Sequence, residues 1–309
     1  MATDKSKHLD EVLQSHRMAH VEPLMNKYIK KRDEVKEGLD KKYSQKKVSS
    51  PINSGSYAKH DAINTKFDID LCIPFQYDAF TTLEEMADDV FNFFSKEYKD
   101  LQLVQYEIRK QRVSIGLTFL IDGDIIKMDI VPGRELSKGD YEKTKNLNLY
   151  VRAKLDKPAT TTQTNIQAHI DHIKEKNDER QIIRLLKIWK THHNSDIKSF
   201  FVELIIIRAF EDNAGKVPSE LWEKLNLALE FIRDKVTSIS LKDPANSNNI
   251  VSNILSDSEK INLSLEMKRM LERIYDNEDN IKIYFPVNDK YVVKQKGNGH
   301  SKLKTESFG

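Results

Sequence analysis

The chain of 309 residues is long enough to form a full hydrophobic core and two lobes. Its formal net charge of +2 is close to balanced, so the overall charge does not indicate a nucleic-acid-binding protein. The single cysteine, Cys72, excludes an internal disulfide and is typical of a reducing compartment. No apolar run approaches the roughly 18 residues of a membrane span, and the N-terminus lacks the apolar region of a signal peptide. We therefore expect a cytoplasmic protein with no membrane partner.

Helical periodicity dominates the start of the chain. Apolar residues recur at helical spacing over 6–46, which predicts one long or broken helix with a charged outer face. A small Gly-Ser turn follows, and the pattern over 67–74 predicts a strand. Thr82 and Glu85 have the spacing of a capping box, which predicts that a helix begins there and ends near residue 98. The predicted order is therefore helix, strand, helix.

The middle of the chain changes to a β pattern. Three strands are predicted, over 102–109, 113–121 and 125–131. An Asp-Gly turn separates the last two, which predicts a hairpin, and Pro132 and Gly133 are expected to end the third strand. Alternation places Asp129 on the face opposite the apolar residues of that strand. A lone carboxylate there would be costly to bury without a partner charge or a metal ion.

From about residue 162 onward the pattern becomes helical. Five helices are predicted, over 163–176, 178–193, 199–210, 218–236 and 258–275. We expect a loop over 242–249 and a disordered tail over 291–309. The chain is therefore predicted to be α+β, with a catalytic lobe over 1–160, a helical lobe over 161–290 and a ligand site in the cleft between them.

The residues with the most specific chemistry lie in the turn after the first helix and in the first strand. Asp68 and Asp70 are spaced one residue apart, so on a strand their side chains share a face. Mg²⁺ is commonly held by one or two carboxylates together with substrate phosphates. Gly55 and Ser56 form a turn that can offer backbone N–H groups and a hydroxyl to phosphate oxygens. With Asp129 as a third carboxylate, this set can hold two metal ions and a nucleoside triphosphate.

The ordered set Gly55-Ser56, Asp68-x-Asp70 and Asp129 resembles the signature of polymerase-β-type nucleotidyltransferases. The fuller string from Gly55 to Leu71 is similar to the bacterial cGAS/DncV-like nucleotidyltransferases, also called CD-NTases. This resemblance implies a polymerase-β-like nucleotidyltransferase lobe, with a mixed sheet and a long N-terminal spine helix, followed by an α-helical C-terminal lobe. It also implies that Asp68, Asp70 and Asp129 are the catalytic metal ligands.

The same resemblance implies an activity. The family condenses NTPs, with two Mg²⁺ or Mn²⁺ ions, into cyclic dinucleotide or cyclic oligonucleotide signals in anti-phage defence. We therefore expect NTPs as substrates and a separate effector protein that reads the product. Because the chain contains no cysteine cluster, it lacks the zinc-binding insertion of animal cGAS, and we expect no DNA requirement.

A second match lies in the helical half. The strings that contain Lys187 and begin at Ser199 are similar to the helical lobe of this family and of oligoadenylate synthetases. That similarity implies that Lys187 and Ser199 contact the triphosphate and that Phe200 can lie against a base. Three simpler interpretations stay open: Lys187 as an ordinary surface lysine, Ser199 as a helix N-cap and Phe200 as a core residue.

Two other functions remain as alternatives at this point. One is a linear polymerase, such as a tRNA nucleotidyltransferase or a poly(A) polymerase, which the modest net charge disfavours. The other is a nucleotide-binding, antitoxin-like module without catalysis. The presence of all three carboxylates argues against it, because a protein that only binds nucleotides has no need to keep them.

Overall fold

The computed structural model of the chain describes residues 3–98, 106–155 and 157–291. Its α-helices are α1 (Lys5–Ser15), α2 (Glu22–Lys42), α3 (Gly55–Ala58), α4 (Leu83–Asn92), α5 (Tyr141–Thr144), α6 (Ile166–Ile173), α7 (Asn177–His192), α8 (Ser199–Asp212), α9 (Leu221–Lys235), α10 (Asp257–Asp276) and α11 (Ile281–Tyr284). Its strands are β1 (Ile52–Ser54), β2 (Ile69–Phe75), β3 (Tyr106–Lys110), β4 (Ile115–Ile121), β5 (Asp124–Glu135), β6 (Leu147–Val151), β7 (Thr160–Thr164), β8 (Lys242–Asp243) and β9 (Asn246–Ile250). The start of the predicted strand 102–109 and the tail beyond residue 291 lie outside the described residues.

The main sheet has the order β1-β2-β5-β4-β3, and β6 and β7 extend it from the far end of β5. The neighbours β2 and β5 run parallel, whereas the other pairs are antiparallel. Residues 71–75 of β2 are all buried, as expected for a parallel strand covered on both faces. On β5 the predicted apolar face is confirmed, because Ile126, Met128 and Ile130 are buried. The mixed sheet confirms the predicted α+β class.

Strand β5 is longer than predicted, because Pro132 and Gly133 do not end it. The β4 ladder stops opposite Ile130, so at Pro132 the pairing partner of β5 is Ile73 of β2. Such a one-sided position tolerates proline. Gly133 is needed because a Cβ there would come within 2.9 Å of Leu147 on β6. The prediction of a strand end at these residues was therefore wrong.

Two further segments differ from the prediction. Residues 242–249 were expected to be a loop but form most of the β8–β9 hairpin. The Asp243 carboxylate stabilises this hairpin by accepting hydrogen bonds from Ala245 N at 2.8 Å and Asn249 Nδ2 at 3.1 Å. The helix predicted over 163–176 begins later, at Ile166, because the preceding threonines favour a strand, here β7.

The predicted N-terminal helix is broken into α1 and α2 by a short 3₁₀ turn over Met18–Val21. Leu9 and Val12 of α1 join the core formed by the helices after residue 165. Val35 and Leu39 of α2 instead pack in the core under the main sheet. The N-terminal segment therefore contacts both cores. Within the described ranges, no helix is long and apolar enough to cross a membrane.

Asn64 joins the α1–α2 connection to the segment before β2, and its replacement tests this junction. Its Nδ2 donates to Ser15 O and to Arg17 O, each at 3.0 Å, and its Oδ1 accepts from Asn288 Nδ2 at 3.1 Å. Because Asn64→Ala leaves these buried groups unpaired, we expect it to lower the free energy of unfolding by about 1–3 kcal/mol, measured by guanidinium denaturation. Asn226→Ala, which removes one exposed hydrogen bond to Tyr275, is the control. Equal losses in the two variants would contradict the prediction.

Candidate active site

The Gly-Ser turn lies directly against β2, the strand that carries Asp70. Gly55 follows β1 with a φ of +65°, and a Cβ on it would come within 1.6 Å of Asp70 Oδ2. No side chain fits in that space, and the positive φ also favours glycine. Ser54 pairs with Asp70 across β1 and β2, so the ladder fixes the turn directly over this carboxylate.

The parallel pairing of β2 and β5 places Asp70 opposite Asp129. Asp68 precedes β2, which begins two residues later than predicted, and its charge acts on both of the other carboxylates. The three predicted metal ligands are therefore neighbours at the start of β2 and the middle of β5. Sequence separation between β2 and β5 hides this pairing from local patterns.

Asp129 has a hydrogen-bonded support that sequence reasoning missed. Gln111 Nε2 donates to Asp129 Oδ1 at 2.8 Å, and Ser114 Oγ donates to Gln111 Oε1 at 2.9 Å. Gly116 lies opposite Asp129 on β4, and a Cβ there would come within 2.5 Å of Gln111 Nε2. The glycine therefore leaves the room that the glutamine side chain occupies. No motif in the sequence signals this arrangement, because it depends on the β3–β4 turn folding over β5.

The carboxylates repel one another in a partly buried setting, in which Asp70 and Asp129 are half-buried and Asp68 is the most exposed of the three. Burial, followed by the charges of Asp68 and Asp129, raises the pKa of Asp70 to about 7. Burial and then the charge of Asp68 raise the pKa of Asp129 to about 6, although the hydrogen bond from Gln111 opposes this rise. Burial also raises the pKa of Asp68. Excess negative charge of this kind is relieved when a cation binds.

The donor chemistry of this site fits Mg²⁺ or Mn²⁺, since every candidate ligand is a carboxylate oxygen. Among the described residues, no three acidic, histidine or cysteine side chains already converge as a closed metal cage. Mg²⁺ does not require one, because it usually keeps waters and shares its coordination between carboxylates and substrate phosphates. The two-metal site remains a prediction that the chemistry of the residues supports.

The cleft beside the carboxylates is lined by both lobes, including Gly55, Ser56, Lys187, Ser199 and Phe200. Lys187 Nζ forms an ion pair with Asp61 Oδ2 at 2.7 Å and also donates to Asp61 O at 3.1 Å. It is a buried residue, so the interpretation as an ordinary surface lysine was wrong. Its charge is already matched by Asp61.

A second buried ion pair crosses the cleft floor. Lys59 Nζ donates to both carboxylate oxygens of Glu203, at 2.9 and 3.0 Å. Lys59 follows α3 in the sheet lobe, whereas Glu203 lies on α8 in the helical lobe. Two ion pairs, this one and Lys187–Asp61, therefore connect the two lobes.

Lys190 is a cleft cation that the sequence analysis left without a role. It lies one helical turn beyond Lys187 on α7, and its Nζ contacts Ser199 Oγ at 3.3 Å. Burial, followed by the charges of Lys66, Lys198 and Lys187, lowers the pKa of Lys190 to about 8. This local excess of positive charge suits a triphosphate. The i, i+3 spacing from Lys187 was the available signal.

The first residues of α8 complete the cleft wall. The helix begins at Ser199 with Lys198 as its N-cap, so the interpretation of Ser199 as an N-cap was wrong. Phe200 is half-buried and packs against the helical core, with its ring centroid 5.0 Å from that of His169 and 4.9 Å from Lys59 Nζ. Phe201 is fully buried. Phe200 therefore has both a core contact and a surface in the cleft.

Comparisons with known proteins agree with this geometry. No family model matches the sequence. The CBASS oligonucleotide cyclase CdnC of Escherichia coli (strain KTE188) is 21% identical over 240 residues, which cover 69% of this chain and 72% of the relative. The structure of E. coli MS115-1 CdnC with ATP superposes with a TM-score of 0.68 at 18% identity, covering 90% of this chain and 95% of that one. The chain has the CD-NTase fold.

A more distant structure supports the same conclusion. Bradyrhizobium diazoefficiens CD-NTase CdnG, solved with GTP, has a TM-score of 0.68 at 12% identity and covers 94% of this chain and 97% of its own. The resemblance to the cGAS/DncV-like nucleotidyltransferases that the motifs indicated is confirmed. So is the polymerase-β-like fold that it implied. The roles of individual residues stay predictions.

The half-buried Asp70 predicts an unusual pH dependence of stability in the absence of divalent ions. Because the pKa of Asp70 is raised from 3.8 to about 7, the folded state holds its proton more tightly than the unfolded chain. This stabilisation is complete below pH 3.8 and is lost as the pH rises through 7. Between pH 5.5 and 8.5 in EDTA, we expect the wild type to lose on the order of 2 kcal/mol more than Asp70→Asn.

Urea denaturation at a series of pH values measures this difference. Asp122→Asn is the matched control, because Asp122 is an exposed aspartate on the β4–β5 turn, and it should follow the wild-type profile. Parallel profiles for Asp70→Asn and the wild type would show that the pKa of Asp70 is not raised in the folded state.

Proposed function

We propose that this protein is a metal-dependent nucleotidyltransferase that condenses NTPs into a cyclic dinucleotide or cyclic oligonucleotide in anti-phage defence. The observation that carries the proposal is the contact of the Gly55 turn with Asp70, directly opposite Asp129 and beside a lysine-rich cleft. A protein that only needed to bind a nucleotide gains nothing from three repelling carboxylates. The sequence relation to an oligonucleotide cyclase supports the same activity.

In this proposal each lobe holds one part of the substrate. The backbone N–H groups of the turn and the hydroxyl of Ser56 face the phosphates from the sheet lobe. Lys190 and Ser199 bind the triphosphate from the helical lobe, while Lys187 acts through its pairing with Asp61. The exposed part of Phe200 offers a stacking surface for a base.

The proposed reaction is attack of a ribose hydroxyl on an α-phosphorus. A new P–O bond forms, the bond from the α-phosphorus to the bridging oxygen breaks, and pyrophosphate leaves with that oxygen. Asp68, Asp70 and Asp129 would hold the divalent ions, which would neutralise charge on the triphosphate and lower the pKa of the attacking hydroxyl, whose proton passes to water. Asp129 lies on the hydroxyl side, and a second round within the same cleft closes the ring.

Substrate and partner follow from the relatives. CdnC was solved with ATP and CdnG with GTP, which supports purine NTPs as substrates here. We propose that the enzyme releases its cyclic product and that a separate effector protein reads it. We propose a cytoplasmic reaction that needs no DNA.

The first test measures pyrophosphate release from the four NTPs with Mg²⁺ or Mn²⁺, with mass analysis of the product. We expect Asp68→Asn and Asp129→Asn to lose roughly 100-fold or more in rate, because each removes a carboxylate that would hold a divalent ion at the triphosphate. Asp122→Asn, on the exposed turn, should keep the wild-type rate. Resistance of the product to exonuclease and phosphatase would separate a cyclic product from a linear one. Retained turnover in both active-site variants would refute the proposal.

A second test concerns the support of Asp129 by Gln111. Gln111→Ala removes the 2.8 Å hydrogen bond that orients this carboxylate but leaves the metal-ligand set intact. Since outer partners of ligating carboxylates typically matter by 10–100-fold, we expect kcat to fall by about that factor while KM for NTP changes little. The concentration of Mn²⁺ that gives half-maximal rate should rise. Gln167→Ala, which removes an exposed helix contact to Asp171, is the control. A rise in KM alone would place Gln111 in substrate binding instead.

A further inference from the structure

A second cavity lies behind the Gly-Ser turn, with a volume of about 220 Å³. We call it the arginine cavity and define it by Arg17 and His16 after α1, Tyr57 and His60 around α3, and Arg184 and Ile188 on α7. Nothing in the proposed reaction uses it. Its walls combine cationic, aromatic and aliphatic groups, which is the composition of many small-ligand sites.

The cavity has positive charge without a matching carboxylate. In the described part of the chain, neither Arg17 nor Arg184 has a carboxylate oxygen within 4.0 Å, and the Arg184 Nε donates to the carbonyl of Arg180, at 3.3 Å. The pKa of Arg184 is lowered by burial first and then by the nearby charges of Arg180 and Arg17, although Asp61 opposes this. A half-buried guanidinium such as that of Arg184, with the charge of the exposed Arg17 acting on it, is stabilised when an anion binds.

The arginine cavity adjoins the active-site cleft, and Ala62 and Ile63 line both spaces, but the charged residues of the two walls differ. On α7, Arg184 and Ile188 are one helical turn apart and line the cavity, whereas Lys187 and Lys190 line the cleft. The segment after Gly55 divides the two spaces in the same way, since its residues Tyr57 and His60 face the cavity while Lys59 and Asp61 face the cleft. One helix and one segment therefore form the partition.

The cavity walls are fixed by hydrogen bonds. Asn64 holds the carbonyls of Ser15 and Arg17, and its backbone N–H donates to His16 O at 3.1 Å. The His16 ring is held by Val12 O, 2.9 Å from its Nδ1, and burial lowers the pKa of this histidine. The imidazole is therefore neutral at pH 7, and the two arginines supply the charge.

We propose that the arginine cavity binds a small phosphate anion: inorganic phosphate, pyrophosphate or the phosphate group of a nucleotide. The planar fork of arginine matches phosphate oxygens in pairs, and two arginines line this cavity. The volume is below the roughly 300 Å³ at which drug-sized ligands begin, so a phosphate group fits better than a whole triphosphate. This proposal does not depend on the proposed catalytic function.

The test is calorimetric titration of the full chain in EDTA with phosphate, pyrophosphate and AMP. The cleft also attracts anions, so every titration is repeated in Lys190→Gln, which weakens the cleft alone. In that background, Arg184→Gln and Arg17→Gln should each raise the Kd of the bound anion roughly tenfold or more, because each removes a charge-assisted contact. Arg208→Gln, which removes an exposed arginine paired with Asp212 on α8, should leave the Kd unchanged.

The outcomes are distinct. Tightest binding by AMP would identify a nucleotide as the source of the phosphate, and tightest binding by pyrophosphate or phosphate would identify a free anion. Arg184 is half-buried, so Arg184→Gln is first checked by circular dichroism; if it fails to fold, the exposed Arg17→Gln decides the test. Loss of all anion binding in Lys190→Gln, or wild-type Kd values in the Arg17 variant, would overturn the proposal.

Discussion

The repulsion among Asp68, Asp70 and Asp129 is the constraint on which the rest of the site depends. A fold gains nothing from three carboxylates placed so close together, since the charge of Asp68 raises the pKa of both Asp70 and Asp129 and the charge of Asp129 raises that of Asp70. The charges of Lys59 and Lys187 reduce this cost at Asp70. Both lysines also form the buried ion pairs between the lobes. The same two lysines therefore reduce the repulsion at the carboxylates and attach the helical lobe.

This arrangement has a physical consequence for the cleft. Buried ion pairs add little stability by themselves, but removing one partner leaves an unpaired buried charge, which is strongly unfavourable. Lys59–Glu203 and Lys187–Asp61 therefore specify how the lobes meet more than they strengthen the fold. In the proposed reaction a triphosphate would meet lysines that are already matched, together with Lys190, whose pKa is lowered by burial and then by neighbouring lysines. The proposal therefore directs the substrate charge toward α7 and the start of α8.

How much of this was predictable depends on the range of each interaction. Local patterns were sufficient for the apolar face of β5, for the start of α4 at Thr82 and for the ordered motif from Gly55 to Asp129. The parallel pairing of Asp70 with Asp129 joins residues far apart in the sequence. The periodicity of apolar residues is a local signal and does not reveal such a pairing. The Gln111 contact depends on that pairing and on the glycine opposite it, so it was missed for the same reason. Pro132 misled because its usual effect on a strand is absent where only one neighbour pairs.

The segment from Gly55 to Asp61 connects all of these features. Its first residue lies against Asp70, Lys59 crosses to Glu203, and Asp61 binds Lys187. The opposite side of the same segment, through Tyr57 and His60, lines the arginine cavity. A turn fixed at so many points has little freedom to move by itself. The same turn therefore lies between Asp70 and the arginine cavity, and a ligand in either space would contact one of its two sides.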